Sequence, residues 1–292
     1  MRKEKISAQI LLYIFFAIVC LLIVFPFWLL LSASLSNSAV LVQKGYQIIP
    51  NPIDFSAYRF VFKNPGQILR AYGITFVFSV LAMIFSVLFM SMIAYPLSRK
   101  DLKGRKAMNF FLYFTMLFNG GLVPTYILIA KYLHLNDTLW VYILPALINP
   151  WYVFMIRTFF SGIPGEIVES SKVDGASEYK IFFEMILPLS KPVLATVALF
   201  MFLGKWNDWN TALIYITKPE LYSLQYLLQK IMEDINILKQ NQAASSMMDL
   251  NNIPTETVRM AMAVVVAGPA LVVFPFFQKY FVKGLTVGSV KG

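Results

Sequence analysis

The chain has almost none of the side chains from which catalytic or metal centres are built. It contains one cysteine, Cys20, and one histidine, His134. A lone cysteine excludes a disulfide framework and a multi-cysteine zinc or iron–sulfur site. A lone histidine leaves no pair for a metal and argues against histidine-based catalysis. Charge is scarce as well: 14% of the 292 residues are charged, against about a quarter in a soluble domain. A Gly-x-x-x-x-Gly-Lys-Ser/Thr phosphate loop is missing too, since Gly204-Lys205 is followed by Trp206 inside an apolar run. Any ATP chemistry tied to this chain therefore belongs to another polypeptide. Apolar side chains are abundant instead, at 58% of the residues, too many for one soluble core. The net charge of +10 fits either a nucleic-acid surface or a membrane protein with basic inner loops. The placement of the charges decides between them.

Six stretches reach the roughly 20 apolar residues that a membrane helix needs. They run from about Ile10 to Leu35, Ile68 to Leu97, Ala107 to Ala130, Thr138 to Phe160, Pro192 to Ile216 and Val258 to Phe281. The first follows Arg2, Lys3 and Lys5, but it is too long for a signal sequence and no clear cleavage site follows it, so it reads as a retained helix. The expected fold is all-α: a polytopic membrane protein with six transmembrane helices. With both termini cytoplasmic, fifteen Lys and Arg fall inside or at inner span ends and nine outside, with Lys205 within the fifth span. Basic residues that flank spans in this way argue against nucleic acid.

The expected organisation is a first helix and external loop over 1–67, a core transmembrane domain over 68–281 and a cytoplasmic tail over 282–292. Within the core lie a cytoplasmic loop at 161–190 and an external, Gln/Asn-rich loop at 217–257. The cytoplasmic loop is the most informative. Pro164 suits the first turn of a helix, and Glu166 and Glu169 then lie near its positive end. Ile163, Ile167 and Ser170 or Ser171 share a small face. Gly175 suits the left-handed residue that closes the helix, and Ser177 can cap a second one. Tyr179, Phe182, Phe183 and Ile186 are expected to pack towards the bundle, and Pro188 to end this helix. The result is a protruding knob of two short helices. On residue physics alone, an amphipathic loop lying on lipid is an equal alternative.

The spacing distinguishes them. Glu169, Gly175, Leu187 and Pro188 match the "EAA" signature of the membrane permeases of binding-protein-dependent ABC importers, and Asp174 and Ala176 fit its extended Asp-Gly-Ala form. Ser170 and Ser171 replace the two alanines and Met185 the isoleucine. The chain also resembles maltose-type carbohydrate permeases at Trp206-Asn207-Asp208-Trp209 and in its tail, Gln278 to Gly292. The run Leu117 to Tyr126 is similar to the third span of oligosaccharide permeases.

The resemblance implies a non-enzymatic subunit that binds no cofactor itself, ATP and Mg being used by the partner ATPase. Its implied partners are a second permease forming a heterodimer, two ATPase subunits, an extracytoplasmic substrate-binding protein, a carbohydrate and the bilayer of a bacterial cell membrane. Coupling to the ATPase falls to Glu166, Glu169, Ser170, Ser171, Asp174, Gly175 and Ala176, with Glu169 the leading polar contact. The tail from Gly284 either reaches the ATPase interface or frays. A segment such as 217–257 meets the binding protein or is a solvated linker. The candidate substrate pathway is Trp206, Asn207, Asp208, Asn210 and Asn119. Asp208 is the one carboxylate deep within an expected span, with Lys205 on the same helical face. It either lines the pathway or forms a structural clamp with Lys205. The competing function is an ion-coupled secondary transporter using Asp208, but that class needs no docking loop. A membrane-embedded enzyme lacks any catalytic constellation.

Overall fold

A computed structural model describes the backbone over residues 2–242 and 255–288. It describes their side chains except 2–8, 238–242 and most positions beyond 269. In chain order the α-helices are α1 (Arg2–Ser34), α2 (Ser38–Lys44), α3 (Ser56–Val61), α4 (Pro65–Ser98) and α5 (Arg105–Leu117). Then come α6 (Leu122–Ile127), α7 (Trp140–Ile143), α8 (Pro150–Ser161), α9 (Gly165–Val173) and α10 (Glu178–Lys180). The last are α11 (Leu187–Leu189), α12 (Lys191–Trp206), α13 (Asn210–Tyr215), α14 (Leu224–Gln242) and α15 (Thr255–Gly288). Among the described residues the sole extended pairing is an isolated bridge between Ser36 and Ile53.

Two helices are long and apolar enough to cross a membrane unbroken: Gln9–Ser34 within α1, and α4. Three further stretches are bent pairs. Arg105–Leu117 meets Leu122–Tyr132 at 109°, Trp140–Ala146 meets α8 at 50°, and Glu178–Leu189 meets α12 at 79°. The described helices thus hold two continuous candidate spans, or up to five when each bent pair counts as one, beside α15. The bends in the third and fourth stretches fall where the sequence carries breakers, at Asn119-Gly120-Gly121 with Pro124 and at Pro145 with Pro150.

The breaks before α6 and α8 have local causes. Between α5 and α6, Gly121 adopts φ +86°, a region open to glycine at little cost. The Gly121 N–H donates to Asn119 Oδ1 (2.9 Å), and Thr125 Oγ1 donates to Gly121 O (2.7 Å). Before α8, Pro150 forces Asn149 into an extended conformation. Asn149 Oδ1 then caps the Trp151 N–H at 3.0 Å. The last helix also carries breakers, Gly268-Pro269 and Pro275, yet α15 runs through them unbroken.

By backbone contacts the chain forms two compact units, residues 1–68 with 228–268, and 69–227 with 269–292. In the first unit, α1 exposes nearly all its apolar side chains from Ile10 to Phe27, as a helix destined for lipid does. The segment after it is tied down rather than free. Trp28 Nε1 donates to Ile48 O (2.9 Å), Ser32 Oγ to Gln47 O (2.6 Å), and Asn37 Nδ2 to Asp54 Oδ2 (2.9 Å). The Ser56 N–H donates to Asp54 Oδ1 at 2.8 Å and holds that carboxyl below its ordinary range.

In the second unit, α4 is the central post. Its Met90, Ala94 and Leu97 pack with Val153, Ile156 and Phe160 of α8 and with Val193, Val197 and Met201 of α12. Ser79, Ser86 and Ser91 are also buried on α4; such small residues let membrane helices approach closely. At the other end, Phe78 stacks on Tyr142 with ring centroids 4.1 Å apart, and the Leu224 N–H donates to Thr75 Oγ1 at 2.8 Å. Residues 217–257 are not a plain loop: α14 covers 19 of them, burying Leu224 and Leu227 at its start in this unit, and Leu228 and Ile235 in the part that belongs to the first. Residues 243–254 of that segment, and 289–292 of the tail, lie outside the described residues.

Candidate functional site

The knob expected between the fourth and fifth spans is present. Pro164 sits just ahead of α9 as its N-cap residue, one position earlier than expected. The helix ends in a Schellman motif. The Ala176 N–H donates to Ser171 O (2.9 Å) and the Gly175 N–H to Lys172 O (3.0 Å), with Gly175 at φ +77°. Ser177 Oγ then accepts the Lys180 N–H at 3.3 Å and starts α10.

One face of α9 seats the knob. Val168 and Ser171 are buried, and Val168 joins the core that also holds Phe160, Ile181, Phe182 and Ile186. Ser170, the alternative to Ser171 on that face, is exposed. Ser171 Oγ lies 2.6 Å from Ile167 O and 2.8 Å from Met185 Sδ, so two of the three departures from the signature touch each other. Phe182 and Ile186 pack inward as expected. Tyr179 and Phe183 do not: they are 75% and 47% exposed, because residues Ile181–Ile186 wind as a π-helix and rotate the faces. The wider turn accommodates Pro188, which has no N–H for a regular α-helical bond. The helix therefore continues to Leu189 instead of ending at Pro188.

The outward face is acidic and unpartnered. Glu166, Glu169 and Asp174 are exposed, and none has an ion pair or side-chain hydrogen bond among the described residues. Glu169 also lines a cleft of about 510 Å³ between α9 and the end of α4, which includes Arg99, Asp101 and Lys172.

A polar network missed in the sequence pins the knob to α4. Lys172 Nζ pairs with Glu178 Oε1 at 2.6 Å, and Tyr95 Oη donates to Glu178 Oε2 at 2.8 Å. Arg99 reaches Glu178 at 3.5 Å and Asp101 at 2.6 Å. The hydrogen bond from Lys172 holds the Glu178 carboxyl below the ordinary carboxylate range. No spacing rule links residues 83 apart, such as Tyr95 and Glu178, so this contact left no signal in the sequence.

The second group of candidates falls at a helix break, not mid-span. The α12 helix stops at Trp206, and Asn207, Asp208 and Trp209 separate it from α13. Asp208 is well occupied. Lys205 Nζ lies 2.8 Å from Oδ2, the Thr211 hydroxyl donates to Oδ2 at 2.8 Å, and the Thr211 N–H donates to Oδ1 at 3.0 Å. Both charged side chains are largely buried, at 16% and 11% exposure. Ser223 Oγ donates to Asp208 O, and Gln225 Nε2 donates to Asn207 Oδ1, so the start of α14 also holds the break.

Trp206 is 1% exposed and packs between Phe202 and Tyr72, whereas Asn207, Trp209 and Asn210 are exposed. Asn119 belongs to the α5–α6 break, where its carboxamide oxygen is bonded to Gly121. The helices that follow the two breaks meet through the stacked rings of Tyr126 and Tyr215, 5.7 Å apart. Asp137 ties down the same end by accepting from the Thr217 hydroxyl and N–H (2.6 Å each), and these bonds hold its carboxyl below its ordinary range.

Apolar helices with built-in bends, joined to a seated knob with exposed acidic groups, describe a multi-pass membrane protein. A sequence profile of the binding-protein-dependent transport system inner membrane component matches residues 66–287, and the chain belongs to that family. Protein LplC of Bacillus subtilis (strain 168) is 39% identical over 92% of this chain and 90% of its own length. From the same organism, the polygalacturonan/rhamnogalacturonan transport system permease protein YtcP is 37% identical over 97% of this chain and 98% of its own. The crystal structure of a bacterial ABC transporter involved in the import of the acidic polysaccharide alginate contains a similar chain. The TM-score is 0.78 at 30% identity, covering 96% of this chain and 98% of that one.

Proposed function

We propose that this chain is one of two permease subunits of an ATP-driven carbohydrate importer, with an oligosaccharide as its cargo. The observation that carries the reading is the α9–α10 knob: a short helix seated by Val168 and Ser171, closed at Gly175, with Glu166 and Glu169 outward and unpartnered. Such a knob docks in an ATPase subunit, where ATP and Mg are bound, and passes its closure to α4 through the Lys172–Glu178–Arg99 network. In this reading there are six spans, formed by α1, α4, α5 with α6, α7 with α8, α12 with α13, and α15, while α9 and α10 lie outside the membrane and both termini are cytoplasmic. The basic stretch Arg99–Lys106 then faces the cytoplasm. The α14 region faces outward, towards the binding protein.

The substrate pathway is assigned to the exposed side of the α12–α13 break: Asn207, Trp209 and Asn210, with Asn119 at the neighbouring break. Trp206 and Asp208 serve as its clamp. The polygalacturonan/rhamnogalacturonan permease YtcP and the alginate importer favour a polysaccharide-derived cargo, and the latter an acidic one. Uptake by vesicles holding the assembled transporter tests the proposal. It requires ATP together with an added binding protein; uptake driven by an ion gradient alone overturns it.

A further inference from the structure

We propose that the cleft where α4, α5 and α8 converge binds the headgroup phosphate of an anionic phospholipid. The cleft has a volume of about 570 Å³, and Lys100, Arg105, Lys106 and Arg157 line it beside Asn109, with no carboxylate. Two of these cations are drawn together deliberately by the fold. Arg105, in the first turn of α5, and Arg157, on α8, both donate Nε to the carbonyl of Leu97, at 2.9 and 3.2 Å. The Arg157 guanidinium also lies over the Phe154 ring, 5.9 Å from its centroid, but among the described residues the terminal nitrogens of both arginines and the ammonium groups of Lys100 and Lys106 make no hydrogen bond or ion pair. The nearby acid, Asp101, is already held by two bonds from Arg99, at 2.9 and 2.6 Å.

Four like charges around one cleft repel unless an anion enters. Guanidinium groups match phosphate with paired N–H donors. Basic residues that serve only to orient the chain in the membrane have no need to converge, since orientation depends on their number near span ends. The source of the phosphate is indicated by the helix beside the cleft. No residue of α5 is buried, and its Met108, Phe110, Phe111 and Phe114 are exposed. That surface suits acyl chains, for which a free phosphate ion has no counterpart. Basic pockets between membrane helices on the cytoplasmic side are a known form of headgroup recognition. The assignment does not depend on what the transporter carries.

The test uses the assembled transporter in phosphatidylcholine nanodiscs doped with phosphatidylglycerol, followed by native mass spectrometry of the lipid retained. The double variant K100Q/K106Q removes two exposed charges that carry no bond the fold needs. Retention is expected to fall roughly fivefold for each lysine removed, and to return in K100R/K106R. The single variants K100Q and K106Q each give one step of that loss, so the result does not hang on assembly of the double variant. Equal retention in wild type and variants overturns the site. Displacement of the lipid by millimolar inorganic phosphate overturns the lipid as its natural occupant.

Discussion

The knob at α9–α10 and the break between α12 and α13 are both short, polar and built around acidic residues, but they treat those residues in opposite ways. At the break, Asp208 is enclosed by Lys205 and Thr211, and its backbone carbonyl is held by Ser223. On the knob, Glu166 and Glu169 stand exposed without partners, while Glu178 alone is bonded inward to Lys172 and Tyr95. An acid the fold has satisfied contributes to architecture; an acid it leaves free is available to another chain. The two regions therefore predict different consequences for removing the same chemical group.

The largest effect is expected at the break. Replacing Asp208 with Ala leaves the Lys205 charge buried without its partner, which costs about 3–5 kcal/mol when a buried pair is broken. Thermal unfolding of the purified complex checks this. The double change of Lys205 to Met and Asp208 to Leu is expected to recover most of the loss. Equal unfolding temperatures for wild type and Asp208→Ala would erase the contrast between the regions.

The next effect is at the knob's turn. Gly175→Ala forces a side chain into φ +77°, at about 1–2 kcal/mol. Because this strain falls on the docking helix, ATP-driven uptake is expected to drop while the complex still assembles, as size-exclusion chromatography reports. A smaller effect follows from Glu178→Gln. Its pair with Lys172 is half exposed, so screening limits the stability change to at most about 1 kcal/mol.

The pH dependence of that contact has a defined sign. The folded Glu178 pKa lies below its ordinary value of 4.5, so the contribution is fully present above that value and is lost as pH falls through the folded pKa. Hydrogen exchange of α9 amides is expected to be independent of this group from neutral pH down to about 5, and to accelerate below that only in the wild type. The smallest stability effect belongs to Glu166→Gln with Glu169→Gln, within about 0.5 kcal/mol, yet this pair is expected to abolish coupled uptake. A large loss of stability with normal uptake would reverse the comparison.

Much of the knob was legible because its signals are local. Gly175 and Ser177 specify a turn and a cap through their own backbone and side-chain chemistry, and the structure uses both as read. The faces beyond Ser177 were misread at Tyr179 and Phe183, because a π-helix has a different period from the α-helix assumed for them. Hydropathy located the long apolar stretches, and the breakers Asn119-Gly120-Gly121 and Pro145 with Pro150 marked where the third and fourth bend, but neither signal carries the angle of the bend. Trp206 was a candidate for the substrate pathway, and its burial between Phe202 and Tyr72 depends on a helix far away in sequence. The Arg99–Glu178 and Asp137–Thr217 contacts likewise join distant residues, and periodicity carries no trace of them. The Ser171–Met185 contact shows the converse: substitutions that each weaken a motif can be compatible as a pair.

The most direct test of docking by the knob is site-directed cross-linking. With Cys20, the one native cysteine, changed to Ser, and Glu169 changed to Cys, a short thiol-to-amine reagent is applied to the assembled transporter. The account predicts a covalent adduct between this chain and the ATPase subunit, with a yield that changes when ATP is added. Failure to form that adduct, in a complex that still contains the ATPase and still transports, would contradict it.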